Sequence, residues 1–180
     1  GTGRCVPEYV LTNEEISTMV ETSDEWISTR TGIKERRICT KETITDLAVT
    51  AAKNALEDAK VAPEELDMII CGTIRGEFIS PSEACVIQRH LGAKCPAFDV
   101  NAACSGFLYG TAVARGLLAT LGGQYALVIG CEALSRLMDP ADRSTCVLFG
   151  DGAGAAIFRL ADTPFALTLG ARGSDVLHAG

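Results

Sequence analysis

The spacing of apolar and polar positions along the chain predicts helices that alternate with buried strands. In residues 46–60 the apolar positions recur at helical spacing and carry mostly small side chains, which predicts a helix lying close against a sheet. The mostly apolar runs 66–73 and 125–131 predict interior strands, and residues 96–100 predict a shorter one. Residues 81–91 predict a helix that ends at Gly92.

Residues 106–121 predict a further helix, in which apolar residues occupy nearly every face. Such a helix is expected to be buried on all sides. Near the N-terminus, Thr12 and Thr22 each precede a Glu by three residues, the pattern of a capping box, and predict the starts of two short helices. The second of these helices is expected to end near Gly32.

The last part of the chain predicts a pair of antiparallel strands. Residues 145–149 and 155–160 are apolar runs, and the glycine turn 150–154 between them is too short for a crossover helix. With a strand at the N-terminus, strands and helices alternate along the chain up to this pair. This order predicts one α/β layered domain over residues 1–180, with one antiparallel strand appended to the sheet.

Composition and charge narrow the class of protein. The 180 residues are 47% hydrophobic with a formal net charge of −7, and the basic residues are scattered, which disfavours nucleic acid as a partner. The most apolar segment contains Arg115 and several glycines, so no membrane span is expected. The eight cysteines lie mostly in apolar runs, far from any zinc-like spacing with His90 or His178, which predicts buried reduced thiols and no metal site.

Cys104 differs from the other cysteines because it lies between a predicted strand and a predicted helix. The segment from Phe98 to Phe107 passes through small residues directly from one to the other. The N–H groups and the dipole at a helix N-terminus favour an anion, so a thiolate is expected there, and a thiolate is a strong nucleophile for thioesters. Position alone leaves a structural role open, since free cysteines are among the most often buried residues.

Two other segments could bind a nucleotide. Trp26 and Arg30 lie four residues apart on a predicted helix, so their side chains project together and could stack on an adenine, although a half-buried Trp beside a surface Arg is the commoner arrangement. Arg143 is equally ambiguous on its own. The glycines of residues 150–154 admit a nicotinamide-dinucleotide interpretation, but a strand follows where that motif requires a helix, which favours a structural turn.

Four motifs taken together resemble a known family. Residues 22–33 (TSDEWISTRTGI), 101–107 (NAACSGF), 139–143 (DPADR) and 149–156 (FGDGAGAA) look like those of β-ketoacyl-[acyl-carrier-protein] synthase III, in the same order. The resemblance covers the whole chain but only the first half of that family's length, the C-terminal half being absent. It implies a thiolase-like layered fold with a mixed five-stranded sheet and helices on both faces. This chain would be one of the two pseudo-repeats of that fold, with residues 12–45 as a coenzyme A-binding insertion.

The resemblance also implies an activity. Cys104 would take an acyl group from acyl-CoA, and the acyl-enzyme would condense with malonyl-acyl carrier protein as carbon dioxide leaves. This is the first elongation step of type II fatty-acid synthesis. Acyl-CoA is then a substrate, and no permanently bound cofactor is implied. A cytoplasmic location is expected from the family and from the lack of a recognisable targeting signal.

The same resemblance implies roles for other residues. Trp26 and Arg143 would enclose the adenine of coenzyme A, Arg30 would meet its phosphates, and Thr22 would line the same site. Residues 78–81 (FISP) resemble the stretch by which one subunit of a homodimer reaches the acyl pocket of the other. Ser80 stands where some family members have a bulky residue, which leads to the hypothesis of a pocket for longer or branched acyl groups.

The missing half leaves alternative functions open. The family's catalytic histidine and asparagine belong to that half, and neither His90 nor His178 lies in a matching motif. An isolated first half is therefore expected to fail at condensation. The alternatives are a non-catalytic or truncated relative that binds coenzyme A or a partner chain and, more distantly, a nicotinamide oxidoreductase.

Overall fold

The computed structural model describes residues 1–173, so His178 lies outside the described residues. In chain order its elements are β1 (Thr2–Cys5), β2 (Val10–Thr12), α1 (Asn13–Ser17), α2 (Asp24–Thr31), β3 (Glu35–Arg37), α3 (Ile44–Ala59), β4 (Met68–Gly72), α4 (Glu83–Leu91), β5 (Ala97–Val100), α5 (Gly106–Leu121), β6 (Tyr125–Ala133), α6 (Arg143–Cys146) and β7 (Asp151–Arg159). Short 3-10 turns occur at Pro63–Glu65, Ala103–Ser105 and Leu134–Arg136.

The predicted mixed five-stranded sheet is confirmed, with the strand order β1-β7-β6-β4-β5. β4 pairs in parallel with both β5 and β6, and Ile70 lies opposite Phe98 on one side and Val128 on the other. β7 runs antiparallel to β6 and to β1. A single antiparallel strand therefore lies inside an otherwise parallel sheet.

Helices cover both faces of the sheet, as the sequence predicts. β4 is buried over its whole length, and its side chains alternate between the two faces. Ile69 and Cys71 belong to the core under α3 and α4, whereas Met68 and Ile70 belong to the core under α5. The small side chains of α3 allow a close approach, since a Cβ atom on Gly3 of β1 would lie 2.1 Å from the Ala51 carbonyl oxygen.

The prediction of a terminal hairpin is wrong. The segment before the glycines forms the short helix α6, and β7 is one continuous strand that runs through the glycine-rich segment. Positive φ angles, which the predicted turn would need, occur among the described glycines only at Gly32, Gly92 and Gly122. At Gly150, directly before β7, packing favours glycine instead, because a Cβ atom would lie only 3.0 Å from the Arg37 carbonyl oxygen.

The prediction that α5 is buried on all sides is also wrong for the described part of the chain. The helix has the predicted bounds, but only Gly106, Gly110, Ala114 and Leu118 are buried. These residues form one face, which packs on β4 and β6. Leu108 and Leu121 are 62% and 68% exposed. In residues 1–173, no helix has both the length and the apolar character that crossing a membrane requires.

Residues 10–37 form a separate two-stranded sheet and two short helices. β2 pairs antiparallel with β3, an arrangement that the sequence analysis did not predict. Thr12 caps α1 in a capping box, as predicted. The predicted cap at Thr22 is wrong, because α2 begins one residue later and the Ser23 hydroxyl accepts the N–H of Trp26 at 3.1 Å. α2 ends at Gly32, which is in the left-handed conformation.

Candidate active site

Cys104 lies where β5 leads into α5, at the carboxyl end of the parallel strands. It is the middle residue of the 3-10 turn Ala103–Ser105, directly before α5. All eight cysteines lie in the described residues, and Cys104 alone among them is exposed. The predicted placement of Cys104 at a helix start is therefore confirmed, and the residue is exposed.

The backbone before Cys104 is strained and held by a side chain. Ala103 has a φ of +46°, which costs a residue with a Cβ atom on the order of 1–2 kcal/mol. The Ala103 N–H donates to the side-chain oxygen of Asn101 at 3.3 Å, and the Asn101 amide group donates to the Ile74 carbonyl oxygen at 3.4 Å. Asn101 thus ties the turn that carries Cys104 to the end of β4.

Trp26, Arg30 and Arg143 come together, although the last of these is distant in sequence. The Arg30 guanidinium carbon lies 4.5 Å from the centroid of the Trp26 ring, and that of Arg143 lies 4.9 Å from the same ring. Arg143 also donates a hydrogen bond to the Glu21 carbonyl oxygen at 2.9 Å. Two cations beside one aromatic ring form a suitable surface for a planar, anionic ligand.

Thr22 lies next to this cluster in sequence, directly before the cap of α2. Its hydroxyl oxygen is buried and has no hydrogen-bond partner among the described residues. A buried hydroxyl without a partner costs roughly 1–3 kcal/mol, so this atom is a candidate for a hydrogen bond to a ligand. The role of Thr22 in binding stays a prediction.

A buried hydrogen-bond network that the sequence did not predict lies beneath the cluster of Trp26, Arg30 and Arg143. The Arg36 side chain, from β3, donates to the Asn13 side-chain oxygen and to the Val147 carbonyl oxygen, at 2.8 Å each. Burial lowers the pKa of Arg36 below its usual value. No signal in the sequence distinguishes Arg36, because all three residues of β3 are charged, and only the structure shows it buried between exposed Glu35 and half-exposed Arg37.

Asp151 connects the chain around Cys39, directly after β3, to the five-stranded sheet. This buried carboxylate, at the start of β7, accepts the N–H of Cys39 at 2.8 Å and both the N–H and the hydroxyl of Ser135, at 2.9 and 2.6 Å. Burial, followed by the charge of Asp151, raises the pKa of the Cys39 thiol to about 12. Cys39 is therefore a protonated, unreactive thiol at neutral pH.

The stretch that the sequence analysis connects with a homodimer is exposed. Phe78 and Ile79 are 56% and 101% exposed, and Ser80 is also exposed. Large apolar side chains at such exposure are typical of a contact with another surface. The residue-specific role of Ser80 stays a prediction. In the described residues, no three His, Cys, Asp or Glu side chains are grouped so that they could hold a metal ion.

Comparison with known proteins gives a family for this arrangement. The model of the family 3-oxoacyl-[acyl-carrier-protein (ACP)] synthase III matches residues 98–173, which include Cys104. The curated β-ketoacyl-[acyl-carrier-protein] synthase III of Clostridium acetobutylicum is 52% identical over 163 residues, covering 90% of this chain and 50% of the relative. That of Caldanaerobacter subterraneus subsp. tengcongensis is 50% identical over 177 residues, covering 97% of this chain and 54% of the relative.

Solved structures agree with the sequence comparison. The crystal structure of 3-oxoacyl-[acyl-carrier-protein] synthase III from Aquifex aeolicus superposes with a TM-score of 0.88 at 52% identity, covering 91% of this chain and 53% of that one. A priming β-ketosynthase of the R1128 polyketide biosynthetic pathway superposes with a TM-score of 0.87 at 38% identity, covering 91% and 50%. The chain spans about half the length of the curated relatives it matches. It belongs to the β-ketoacyl-[acyl-carrier-protein] synthase III family, and its fold is thiolase-like, as the motifs imply.

Proposed function

We propose that this chain is the part of a condensing acyltransferase that carries the covalent nucleophile. The observation that carries the proposal is the exposed Cys104 thiol in the turn before α5, in a chain 52% identical to a β-ketoacyl-[acyl-carrier-protein] synthase III. Condensation of the acyl group with malonyl-acyl carrier protein needs a second half like that of the relatives. This chain together with that half would form the whole enzyme.

The proposed reaction has two steps. In the first, the Cys104 thiolate attacks the carbonyl carbon of acyl-CoA, the bond from that carbon to the coenzyme sulfur breaks, and coenzyme A leaves and takes up a proton. In the second, malonyl-acyl carrier protein loses carbon dioxide, and the electron pair left on carbon attacks the acyl carbonyl. A carbon–carbon bond forms, Cys104 leaves as a thiolate, and a 3-oxoacyl carrier protein results. This product starts type II fatty-acid synthesis.

The proposal includes a coenzyme A site at Thr22, Trp26, Arg30 and Arg143. A ring between the Trp26 indole and the Arg143 guanidinium needs these two groups about 7 Å apart, twice the contact distance of carbon atoms. Because Arg143 lies 4.9 Å from the indole centroid, its exposed side chain must swing outward when the adenine enters. Arg30 would then meet the phosphates, and residues 12–45 would form the coenzyme-binding insertion.

The proposal also includes a homodimer in a cytoplasmic setting, with malonyl-acyl carrier protein as the second substrate and no permanently bound cofactor. The exposed Phe78 and Ile79 support a subunit contact at this stretch. Ser80 would leave room for longer or branched acyl groups. Acylation by acetyl-, isobutyryl- and hexanoyl-CoA tests this last point, and strict preference for acetyl would remove it.

The test of the proposed function is acyl transfer to Cys104 in the whole enzyme. Incubation with acetyl-CoA alone is expected to add one acetyl group, which peptide mass mapping locates on Cys104. Cys104→Ala is expected to abolish the label, and the half-buried Cys95→Ala is the matched control that keeps it. Undiminished acyl transfer in Cys104→Ala would refute the proposal. Binding of coenzyme A without any acylation would favour the alternative of a non-catalytic relative.

A further inference from the structure

Arg36 is a buried cation without a carboxylate partner. Arg36 is 5% exposed, and none of the ion pairs in residues 1–173 includes it. Its guanidinium donates instead to neutral acceptors, namely the carbonyl oxygens of Leu11 and Val147, at 3.2 and 2.8 Å, and the Asn13 side-chain oxygen at 2.8 Å. A buried charge costs several kcal/mol unless such hydrogen bonds compensate it, so these acceptors determine where Arg36 can lie.

Through Asn13, the guanidinium is connected to the helix that carries Trp26. Asn13 is fully buried, and its amide group donates to the Asp24 carboxylate at 2.7 Å and to the Ile33 carbonyl oxygen at 2.8 Å. Asp24 is the first residue of α2, and Trp26 lies two residues later. Asn13 therefore holds both ends of α2, with its own position held by Arg36.

Through Val147, the same guanidinium is connected to the helix that carries Arg143. Arg143 is the first residue of α6, and Val147 is the C-cap residue directly after the helix. The Val147 side chain is buried with Ile16 and Ile27, and Ile27 directly follows Trp26. The Val147 carbonyl oxygen belongs to the negative end of this short helix, where a cation is a favourable partner.

We propose that Arg36 is a positioning residue for the coenzyme site, because its guanidinium bonds both to the segment ending in Val147 and to the Asn13 network beneath α2. It thereby fixes the spacing between the backbone segments that carry Arg143 and Trp26. The inference rests on the proposed function and concerns the nucleotide part of acyl-CoA only. Arginine suits this role because its planar fork donates in several directions at once, whereas a lysine ammonium on a flexible stem cannot reproduce that geometry.

The test compares two acyl donors in the whole enzyme carrying Arg36→Lys. One donor is acetyl-CoA, and the other is acetyl-pantetheine, which has the same thioester but lacks the nucleotide. With acetyl-CoA we expect the KM for acylation of Cys104 to rise about ten-fold while the saturating rate stays within about two-fold. With acetyl-pantetheine we expect no change in either value.

Arg37→Lys is the matched control. Arg37 is the next residue of β3, and its guanidinium donates to the Pro7 and Glu8 carbonyl oxygens at 3.3 Å, with no hydrogen bond to the α6 segment among the described residues. The control is expected to behave as the unsubstituted enzyme with both donors. Thermal unfolding of each variant accompanies the kinetics, because a general loss of structure would affect the two donors equally.

Several outcomes overturn the proposal. One is an unchanged KM for acetyl-CoA in Arg36→Lys, and another is an equal loss with both donors. Failure of both Arg36→Lys and Arg36→Gln to fold would also overturn it, because Arg36 would then hold the fold and not the site. If the unsubstituted enzyme is acylated by neither donor, the proposed function itself fails, which is a distinguishable result.

Discussion

A Cβ atom on Gly72 would lie 2.6 Å from the carbonyl carbon of Gly106, so the end of β4 meets the start of α5 backbone to backbone. The approach is close from the other side as well, since a Cβ atom on Gly106 would lie 3.2 Å from the Gly72 Cα atom. Cys104 lies two residues before Gly106. The contact between these glycines therefore determines where the thiol stands relative to the carboxyl ends of the strands.

We expect Gly72→Ala to displace the start of α5 and to slow acylation of Cys104. The methyl group must push the backbone of α5 away, a form of overpacking that typically costs about 1–3 kcal/mol of stability. Because a misplacement of about 1 Å at a reacting group can cost on the order of a hundred-fold in rate, we expect a ten- to hundred-fold slower acylation. Mass spectrometry of samples quenched at set times measures the acylation rate of Cys104, and urea unfolding measures the loss of stability.

Gly116→Ala is the control for this substitution. Gly116 lies on an exposed turn of the same helix, and a Cβ atom there would meet nothing within 4 Å in the described structure. Alanine reduces the freedom of the unfolded chain and suits a helix, so this variant is expected to gain about 0.4–1 kcal/mol and to keep the rate. Equal acylation rates in the two variants would contradict the positional role of Gly72.

Arg143→Ala is expected to weaken binding of acyl-CoA by about ten-fold and to leave acylation by a donor without the nucleotide unchanged. The substitution removes a cation from the Trp26 ring and from the surface proposed for the anionic coenzyme. A cation beside an aromatic ring contributes roughly 0.5–2 kcal/mol. The KM for acetyl-CoA against that for acetyl-pantetheine measures the difference. Arg89→Ala, on the exposed side of α4, is the control, and a similar effect of both variants would count against the site.

The sheet and most of its helices could be predicted because local signals and tertiary packing agree in them. Helix α5 has the predicted bounds, and the small residues of α3 do meet a closely packed strand. The segment around Gly150 to Gly154 could not be predicted in the same way. A glycine in a tight turn and a glycine next to a close backbone neighbour are identical in sequence, and only the position of Arg36 and Arg37 distinguishes them.

The residues of the candidate site could be predicted from the sequence only where local spacing brings them together. The pairing of Trp26 with Arg30 follows from helical spacing, whereas the arrival of Arg143 at the same ring is a tertiary contact, expected only from the family resemblance. Arg36 could not be identified, because buried and exposed arginines differ only in their surroundings. Helix α5 is less buried than predicted, because an apolar sequence indicates that a helix has to be covered but not which chain segment covers it.

Thiol labelling is expected to separate Cys104 from the other seven cysteines of the chain. Cys71 and Cys131 are buried with their sulfur atoms 3.3 Å apart, and the hydrogen bond between them raises the pKa of Cys71 well above its usual value. With a pKa of about 12, Cys39 is ionised in about one molecule in ten thousand at pH 8. Cys104, in contrast, is exposed to the solvent.

At pH 8 we expect iodoacetamide to modify Cys104 at least about ten-fold faster than any of the other seven. Timed quenching, digestion and peptide mass analysis give the rate for each cysteine. Cys104→Ala is expected to leave the slow rates unchanged, and unfolding in urea is expected to expose all eight thiols. Modification of Cys95 as fast as that of Cys104 would contradict the assignment of the accessible nucleophile.

The stability of the fold depends on pH through the carboxylate of Glu42, in the loop before α3. It accepts the backbone N–H of Glu8 at 3.0 Å and those of Thr40 and Lys41 at 3.2 Å each. These bonds, with that from Glu8 as the largest cause, lower the pKa of Glu42 from its usual 4.5 to about 2. The unfolded chain therefore takes up the proton at a higher pH than the folded chain does.

It follows that ionised Glu42 stabilises the fold fully above about pH 4.5 and that this contribution disappears as the pH falls towards 2. We expect Glu42→Gln to lower the urea midpoint of unfolding at pH 7 and to approach the unsubstituted protein progressively between pH 4.5 and pH 2, because the neutral amide cannot lose a charge. Glu64→Gln, an exposed position in the turn before β4, is expected to show no such convergence. A midpoint difference for Glu42→Gln that stayed constant over this range would show that the hydrogen bonds to the carboxylate do not contribute through its charge.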